Sequence, residues 1–191
     1  DQRGRDLGYS QGGWAAQWNH WIFFLIAREH EHPEAQWLAE FINMDFMKKA
    51  MGYGDAFWWF DPDMEARRPA ARDVGESFID LGLNVWRSGW SDEPTILLHY
   101  CGLKAQHREG TMNHVTLYVR GRRLLSDGVG VTGWDHNVPV INSRPQARVR
   151  PGATLDFHAD DQSGYALGDA SDPYLREGVL RHVLYLRDGA L

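Results

Sequence analysis

The spacing of apolar residues changes along this chain, and that change constrains the fold more than any other feature. Near the start, apolar side chains recur at i, i+4, i+7 and i+8, the spacing of one buried helix face, at Trp14, Trp18, Trp21, Ile22, Leu25 and Ile26. Pro33 then fits the first turn of a second helix. A second apolar stripe follows it, at Trp37, Leu38, Phe41, Ile42 and Phe46. The first third of the chain is therefore predicted to be helical.

Later in the chain, apolar residues alternate with their neighbours, which is the period of a β-strand. The alternation is clearest in three runs, at residues 95–100, 115–120 and 180–185. Short strands separated by Gly, Asp and Pro turns predict an antiparallel β-sandwich. A connection rich in Pro, Asp and Arg precedes it. We therefore predict helices in residues 1–53, a linker over 54–77 and an antiparallel sandwich over 78–191.

The last residues carry a hairpin signal. Asp188-Gly189 is a strong turn dipeptide, and only two residues follow it. The first residue is Asp1 rather than an initiator Met. We therefore expect the chain to be a piece of a longer protein, with the sandwich truncated at its C-terminal end.

Composition and charge argue against several function classes. The formal net charge of −6 disfavours a general nucleic-acid binder, because phosphate binding requires a basic surface. The longest apolar run, residues 21–27, is too short to span a membrane. The single cysteine, Cys101, excludes an internal disulfide and a zinc site made of cysteines. We expect neither a nucleic-acid nor a membrane partner.

Aromatic residues make up 13% of the chain, including nine tryptophans. Aromatic faces stack on sugar rings, so such a content is typical of glycan-active proteins. Large side chains that fill a big core explain the content equally well. Composition alone leaves both interpretations open.

Histidines and acidic residues cluster between the predicted strands of the second half. His107, Glu109, Asp127 and His136 lie in the turns of this region or at the ends of its strand-like runs. A zinc site with an open position needs three protein ligands from His, Asp or Glu, and adjacent strands of one sheet can supply them. Solvated polar turns give the same pattern. The cluster is therefore either a candidate metal centre or a set of ordinary loops, and the nearby His114 is ambiguous between these roles.

Four segments follow one another in the second half of the chain. They are "GLNVWRSGWSDEPTILLHYCG", "QHREGTMNHVTLYVRGRRLLSDGVGV", "HNVPVINSRPQ" and "GYALGDASDPYLREGVLRHVLYLRDGAL". Their order resembles that of the heparinase II/III-like polysaccharide lyases, in which an (α/α) toroid precedes an antiparallel β-sandwich. The resemblance implies an α+β multidomain fragment, with the last helices of the toroid in residues 1–53 and the start of the sandwich in residues 78–191.

The resemblance also implies a reaction. Lyases of this type cleave the glycosidic bond next to a uronic acid by β-elimination. A base removes the proton alpha to the carboxylate, and an acid, commonly Tyr, protonates the leaving oxygen. The carboxylate must be neutralised by hydrogen bonds or positive charge for that carbon to lose its proton.

The metal and cleft positions of the family fall on the candidate cluster. His107 matches the family's cleft-facing histidine, while Asp127 and His136 match metal ligands. Glu109 stands where the family has a ligand histidine, and its carboxylate oxygen can also bind zinc. The resemblance thus implies zinc or another divalent cation at Glu109, Asp127 and His136. Asn113 and Asn137 match polar positions near these ligands and could orient them.

The family's catalytic tyrosine has no direct counterpart. "GYSQGGWAAQW" stands where a Gly-Tyr-x-Glu-Gly-x-x-Tyr segment is usual, and the acid position falls at Trp14 or Ala15, neither of which can donate a useful proton. Tyr9 is the phenol left as a candidate acid, with packing before the first helix as its alternative role. We assign Trp14, Arg108 and Asn113 to substrate binding. The other catalytic groups of the family lie upstream, so this piece alone is expected to be inactive.

Three functions follow from the sequence. The first is a polysaccharide lyase acting on an acidic uronate glycan, in the periplasm or secreted, as the family implies. The second is a non-catalytic glycan-binding or structural module that keeps the lyase fold after losing the tyrosine and one histidine. The third is a hydrolase or an unrelated β-sandwich enzyme that matches the family's motifs by chance. Arginines around the candidate cluster favour an acidic substrate despite the negative total charge.

Overall fold

The computed structural model describes residues 21–46, 58–70, 74–91, 93–102, 110–120, 122–125, 134, 136–147 and 150–187. The chain forms two compact units that divide near residue 70. The first unit carries the two longer described helices, and the second carries the described strands and one short helix.

The first unit is built on a pair of helices, α1 (Trp21–His30) and α2 (Pro33–Phe46). Pro33 opens α2 as predicted, because the first turn of a helix has no use for the N–H that proline lacks. The buried side chains of Phe24 and Ala39 join the two helices. None of the helices among the described residues is long and apolar enough to cross a membrane.

Residues 58–70 return to the start of α2. Arg67 Nη2 lies 2.6 Å from Glu34 Oε1, and the Arg67 backbone N–H donates to the Pro33 carbonyl at 3.1 Å. The hydrogen bond from Arg67 holds the pKa of Glu34 below its ordinary value. The described part of this unit thus shows a helical pair with a returning segment, and it does not show the toroid that the resemblance implies.

Within its described residues, the second unit contains two antiparallel sheets, as predicted. The first sheet has the order β1-β2-β3-β4-β5, with strands Gly75–Phe78, Leu83–Arg87, Ile96–Tyr100, His114–Val119 and Arg122–Leu125. The second has the order β6-β7-β8, with strands Ala153–Ala159, Ser163–Asp169 and Leu180–Leu186, and a short helix α3 (Ser171–Tyr174) between the last two. The first strand starts at Gly75, inside the predicted linker.

The two sheets pack against each other through one apolar cluster. The first sheet contributes Trp86, Leu97 and Val115, and the second contributes Ala166, Val183 and Tyr185. Trp86 is fully buried, stacks on Phe157 with ring centroids 5.3 Å apart, and donates its indole N–H to the His158 carbonyl at 3.1 Å. The indole therefore fills the space between the sheets and keeps its one polar atom satisfied.

Gly164 on β7 allows this close packing. A Cβ placed at Gly164 would lie 2.1 Å from Trp86 Cδ1 and 2.2 Å from Trp86 Nε1. The indole cannot retreat, because the surrounding core holds it on all sides.

We expect Gly164→Ala to lower the free energy of unfolding by about 2–3 kcal/mol, since the added methyl group must displace the indole or the strand. Gly178→Asn is the matched control, because Gly178 has open space around it and asparagine tolerates its φ of +71°. Denaturant unfolding of both variants measures the difference. Equal stabilities would contradict the packing described for Trp86.

Candidate functional site

A chain of buried hydrogen bonds runs through β2 and β3 to the turn before β4. Asn84 Nδ2 donates to His99 Nδ1 at 3.2 Å, and His99 Nε2 lies 3.2 Å from Asn113 Oδ1. All three side chains are buried. An amide nitrogen can only donate and an amide oxygen can only accept, so His99 must be neutral with its proton on Nε2.

Both ends of this chain reach the second sheet. At one end, Asn84 Nδ2 also donates to Thr154 Oγ1 on β6 at 3.0 Å. At the other end, Asn113 Nδ2 donates to the Gly168 carbonyl on β7 at 3.1 Å and is 3.5 Å from the Val179 carbonyl. The two sheets are therefore joined by this polar network as well as by the apolar cluster.

The turn before β4 depends on Asn113. Its φ of 62° lies in the left-handed region, which asparagine tolerates better than most residues. Gly168 faces it so closely that a Cβ there would lie 1.9 Å from Asn113 Oδ1. A side chain at residue 168 would therefore displace the asparagine amide.

Arg181 on β8 ties this turn to the segment that contains His136. Its Nη1 donates to the Asn113 carbonyl at 2.7 Å and to the Asn137 carbonyl at 2.9 Å, and its Nη2 donates to Asn137 Oδ1 at 3.1 Å. Burial lowers the pKa of Arg181 somewhat, which leaves the guanidinium charged at neutral pH. One side chain of the second sheet thus holds two loops of the site.

Gln146 provides a second connection between the same loops. Its amide accepts from Met112 N–H at 2.9 Å and donates to the Met112 carbonyl at 2.6 Å, much as a neighbouring strand would. Gln146 Nε2 also donates to Tyr174 Oη at 3.2 Å, and Tyr174 donates to the Pro139 carbonyl. Burial raises the pKa of Tyr174, so the phenol keeps the proton that it donates.

Two histidines meet at this end of the unit. The ring centroids of His114 and His136 are 6.0 Å apart, with their planes at 79°. His114 is buried on β4, where its Nε2 lies 2.7 Å from Thr116 Oγ1, and His136 is half-buried.

Two of the site residues predicted from the sequence lie among the described residues. His136 lies beside His114, and Asn113 lies in the buried network. Because Asn113 is 1% exposed and its amide is engaged on both sides, its position favours the role of orienting the loops over direct substrate contact. The remaining predicted residues lie outside the described residues and stay predictions; they are Tyr9, Trp14, His107, Arg108, Glu109 and Asp127.

Sequence reasoning missed most of the residues that hold this site. Arg181 belongs to the last of the four segments quoted above, but nothing in that segment shows what the arginine binds. Gln146 and Tyr174 carry no local signal, because their partners are 34 and 35 residues away. His114 was left ambiguous, and only its position next to His136 distinguishes it.

The predicted zinc site stays a prediction, because Glu109 and Asp127 lie outside the described residues. Within the described part of the chain, no group of three or more His, Cys, Asp or Glu side chains could hold a metal ion.

Comparisons with known proteins support the fold. No family model and no curated protein matches the sequence. The crystal structure of heparan sulfate lyase HepC from Pedobacter heparinus matches 89% of this chain and 26% of its own chain, with a TM-score of 0.61 and 13% identity. A heparinase III structure matches 82% of this chain and 25% of its own, with a TM-score of 0.55 and 14% identity.

The chain therefore spans about a quarter of the length of these structures. At such low identity the likeness shows a shared fold and no more.

Because His99 is buried in its neutral form, the free energy of unfolding depends on pH. Burial lowers the pKa of His99 to about 4, while an unfolded histidine titrates near 6.5. As pH falls from about 6.5 to about 4, His99 binds a proton in the unfolded chain but stays neutral in the folded chain. Stability is therefore lost over this window, by about 3 kcal/mol in total.

We expect His99→Gln to flatten this loss of stability, because glutamine does not titrate. The variant is less stable than the wild type at pH 7 and loses about 3 kcal/mol less on acidification to pH 4. Denaturant unfolding at several pH values measures both effects, with the exposed His182→Gln as the control. A pH dependence in His99→Gln as steep as in the wild type would contradict the buried neutral imidazole.

We expect Arg181→Met to lower the free energy of unfolding by about 2–4 kcal/mol, because three oxygen acceptors lose a charged donor. Arg181→Lys should recover only part of the loss, since an ammonium cannot reproduce the planar fork. Hydrogen exchange should quicken in residues 110–113 and 136–141. Arg176→Met is the matched control, because Arg176 is exposed. An equal loss of stability in both methionine variants would contradict the role given to the Arg181 hydrogen bonds.

Proposed function

We propose that this chain is part of a polysaccharide lyase that cleaves a uronic-acid-containing glycan by β-elimination. The observation that carries the proposal is the shared fold with heparan sulfate lyase and heparinase III structures over more than four fifths of this chain. It agrees with the order of the sequence segments that resemble the heparinase II/III-like family. An acidic polysaccharide or oligosaccharide is the proposed substrate.

In this proposal His107 acts as the base of the cleft. It takes the proton from the carbon alpha to the uronate carboxylate, and the electron pair forms the new C=C bond as the glycosidic oxygen leaves. Tyr9 is the candidate acid that protonates this oxygen. Trp14 and Arg108 bind the substrate, since an aromatic face stacks on a sugar ring and a guanidinium neutralises a carboxylate.

A divalent cation, zinc in the first place, belongs to the proposed site. Glu109, Asp127 and His136 would hold it, and when bound it supplies fixed positive charge that orders the loops. Asn113 and Asn137 would orient the segments that carry these ligands. Arg181 supports this arrangement, because it binds the backbone carbonyls of both asparagines.

The whole protein is proposed to be periplasmic or secreted, where acidic polysaccharides are met. Because the chain spans about a quarter of the lyase structures, further catalytic groups are expected in the rest of the protein. The chain on its own is therefore proposed to be inactive, with the helices of the first unit forming the end of an (α/α) toroid.

A non-catalytic glycan-binding module is the second candidate. It is favoured by two departures from the family, Trp14 or Ala15 at the position of the catalytic tyrosine and Glu109 at the position of a ligand histidine. Such a module would bind the same glycans without cleaving them.

The full-length protein that contains this chain decides between the two candidates. Incubated with heparan-type, alginate and pectic substrates, a lyase releases an unsaturated uronate product that absorbs in the ultraviolet. We expect His107→Ala and Tyr9→Phe to reduce this release at least a hundredfold, with His158→Gln as an unaffected surface control. Binding without product on any substrate would contradict the lyase and favour the module.

A further inference from the structure

We propose that the guanidinium of Arg187 binds a carboxylate group, at the end of the second unit opposite to the candidate functional site. Arg187 directly follows β8, six residues after Arg181 on the same strand face. At a rise of about 3.3 Å per residue the two arginines lie roughly 20 Å apart. The carboxylate site is therefore separate from the proposed catalytic centre, and it does not depend on lyase activity.

The first support is a pair of donors without acceptors. Arg187 Nε and Nη2 are both buried, and neither has a hydrogen-bond partner among the described residues. An arginine side chain stays charged at neutral pH, so burying its N–H groups without an acceptor is costly. An unpaired buried group of this kind points to a bound ion or water. A carboxylate supplies both acceptor oxygens and the compensating charge, which water does not.

The second support is which two atoms of Arg187 lack partners. Its Nη1 donates to the Asp160 carbonyl, and its backbone N–H donates to the Gln162 carbonyl at 3.0 Å. The guanidinium is thereby fixed against the turn between β6 and β7. Nε and Nη2 form one edge of the guanidinium plane, with their N–H bonds parallel. This edge matches the two oxygens of a carboxylate in a bidentate pair.

The carboxylate of Asp160, in the same turn, is already engaged. Its Oδ1 accepts from the backbone N–H groups of Gln162 at 2.8 Å and Ser163 at 2.7 Å. Its Oδ2 lies 2.7 Å from His158 Nε2, and the hydrogen bond from His158 holds the pKa of Asp160 well below its ordinary value. Asp160 therefore stays ionised in the turn and does not pair with the Nε and Nη2 edge of Arg187.

The charges at this end of the unit favour a singly charged ligand. Arg87 ends β2, and its charge interacts with Tyr185, two residues before Arg187. Burial lowers the pKa of Arg87 to about 10, which leaves this second guanidinium charged at neutral pH. The ionised Asp160 offsets part of the positive charge. A carboxylate is thus a better match than a doubly charged sulfate or phosphate.

Access to the edge requires a local opening of the strand end. Arg187 is half-buried and lies just beyond the last residue of β8, where the chain opens more easily than in the core. After closure the carboxylate is shielded from water. A charge-assisted hydrogen bond is stronger in such surroundings than on an open surface.

Titration of the purified chain with small carboxylates tests the proposal without any polysaccharide. Acetate carries the carboxylate alone, glucuronate carries it on a sugar ring, and glucose is the uncharged control. We expect both acids to shift the Arg187 Nε–H signal in ¹⁵N NMR and glucose to leave it unchanged. An affinity for glucuronate at least tenfold higher than for acetate would assign the site to acidic sugars, and equal affinities would assign it to small acids.

Variants of Arg187 separate the charge of the side chain from its shape. The backbone amide signals of Gln162 and Ser163 report the affinity in each variant. We expect Arg187→Met to weaken carboxylate binding at least tenfold, and Arg187→Lys to weaken it about threefold or more, because an ammonium lacks the planar fork. Arg176→Met is the matched control, since Arg176 is exposed, and it should bind as the wild type does.

Two binding results would overturn the proposal. One is a wild-type chain that binds neither acid. The other is a folded Arg187→Met that binds both acids as the wild type does.

Stability in a buffer without carboxylates gives a second readout. Because Arg187 Nε and Nη2 have no acceptors among the described residues, Arg187→Met should shift the denaturant midpoint far less than Arg181→Met, which loses three hydrogen bonds. An equal shift in the two variants would show that the chain itself pairs these donors, and it would contradict the carboxylate site.

Discussion

The hydrogen bond between His99 Nε2 and Asn113 Oδ1 is the contact on which the rest of the site depends. It joins the central strand of the larger sheet to the turn that starts β4, and the same asparagine amide continues to Gly168 on the other sheet. In a buried place each of these groups is costly to leave unpaired, so the chain of bonds fixes one register between the sheets. Trp86 then fills the apolar space beside it, and Gly164 leaves room for the indole.

Irregular loops at the end of this unit take their shape from side chains of distant segments. Arg181 and Gln146 bind backbone groups of Asn113, Asn137 and Met112, which no regular strand pairs. A loop that is held in this way carries functional groups at fixed positions while its own sequence remains free to vary.

Much of the fold could be read from the sequence. Alternating residues located β3, β4 and β8, and Pro33 located the start of α2, because these signals are local and follow from the geometry of single elements. The start of β1 at Gly75 was missed, since its four residues show no apolar alternation and pair only with β2. Of the site residues that the resemblance implies, His136 and Asn113 lie among the described residues, and their functional roles stay predictions. The partners of Asn113, at residues 99, 168 and 181, depend on how the two sheets pack, which no local pattern encodes.

The protonation state of His99 tests this account most directly, because the buried chain of bonds permits only one form of the ring. Imidazole ¹⁵N NMR of the folded chain at pH 7 distinguishes the two neutral tautomers and the charged form. The account predicts a single neutral tautomer with its proton on Nε2, donated to Asn113. A proton on Nδ1, a charged ring or a rapidly exchanging mixture of tautomers would contradict it.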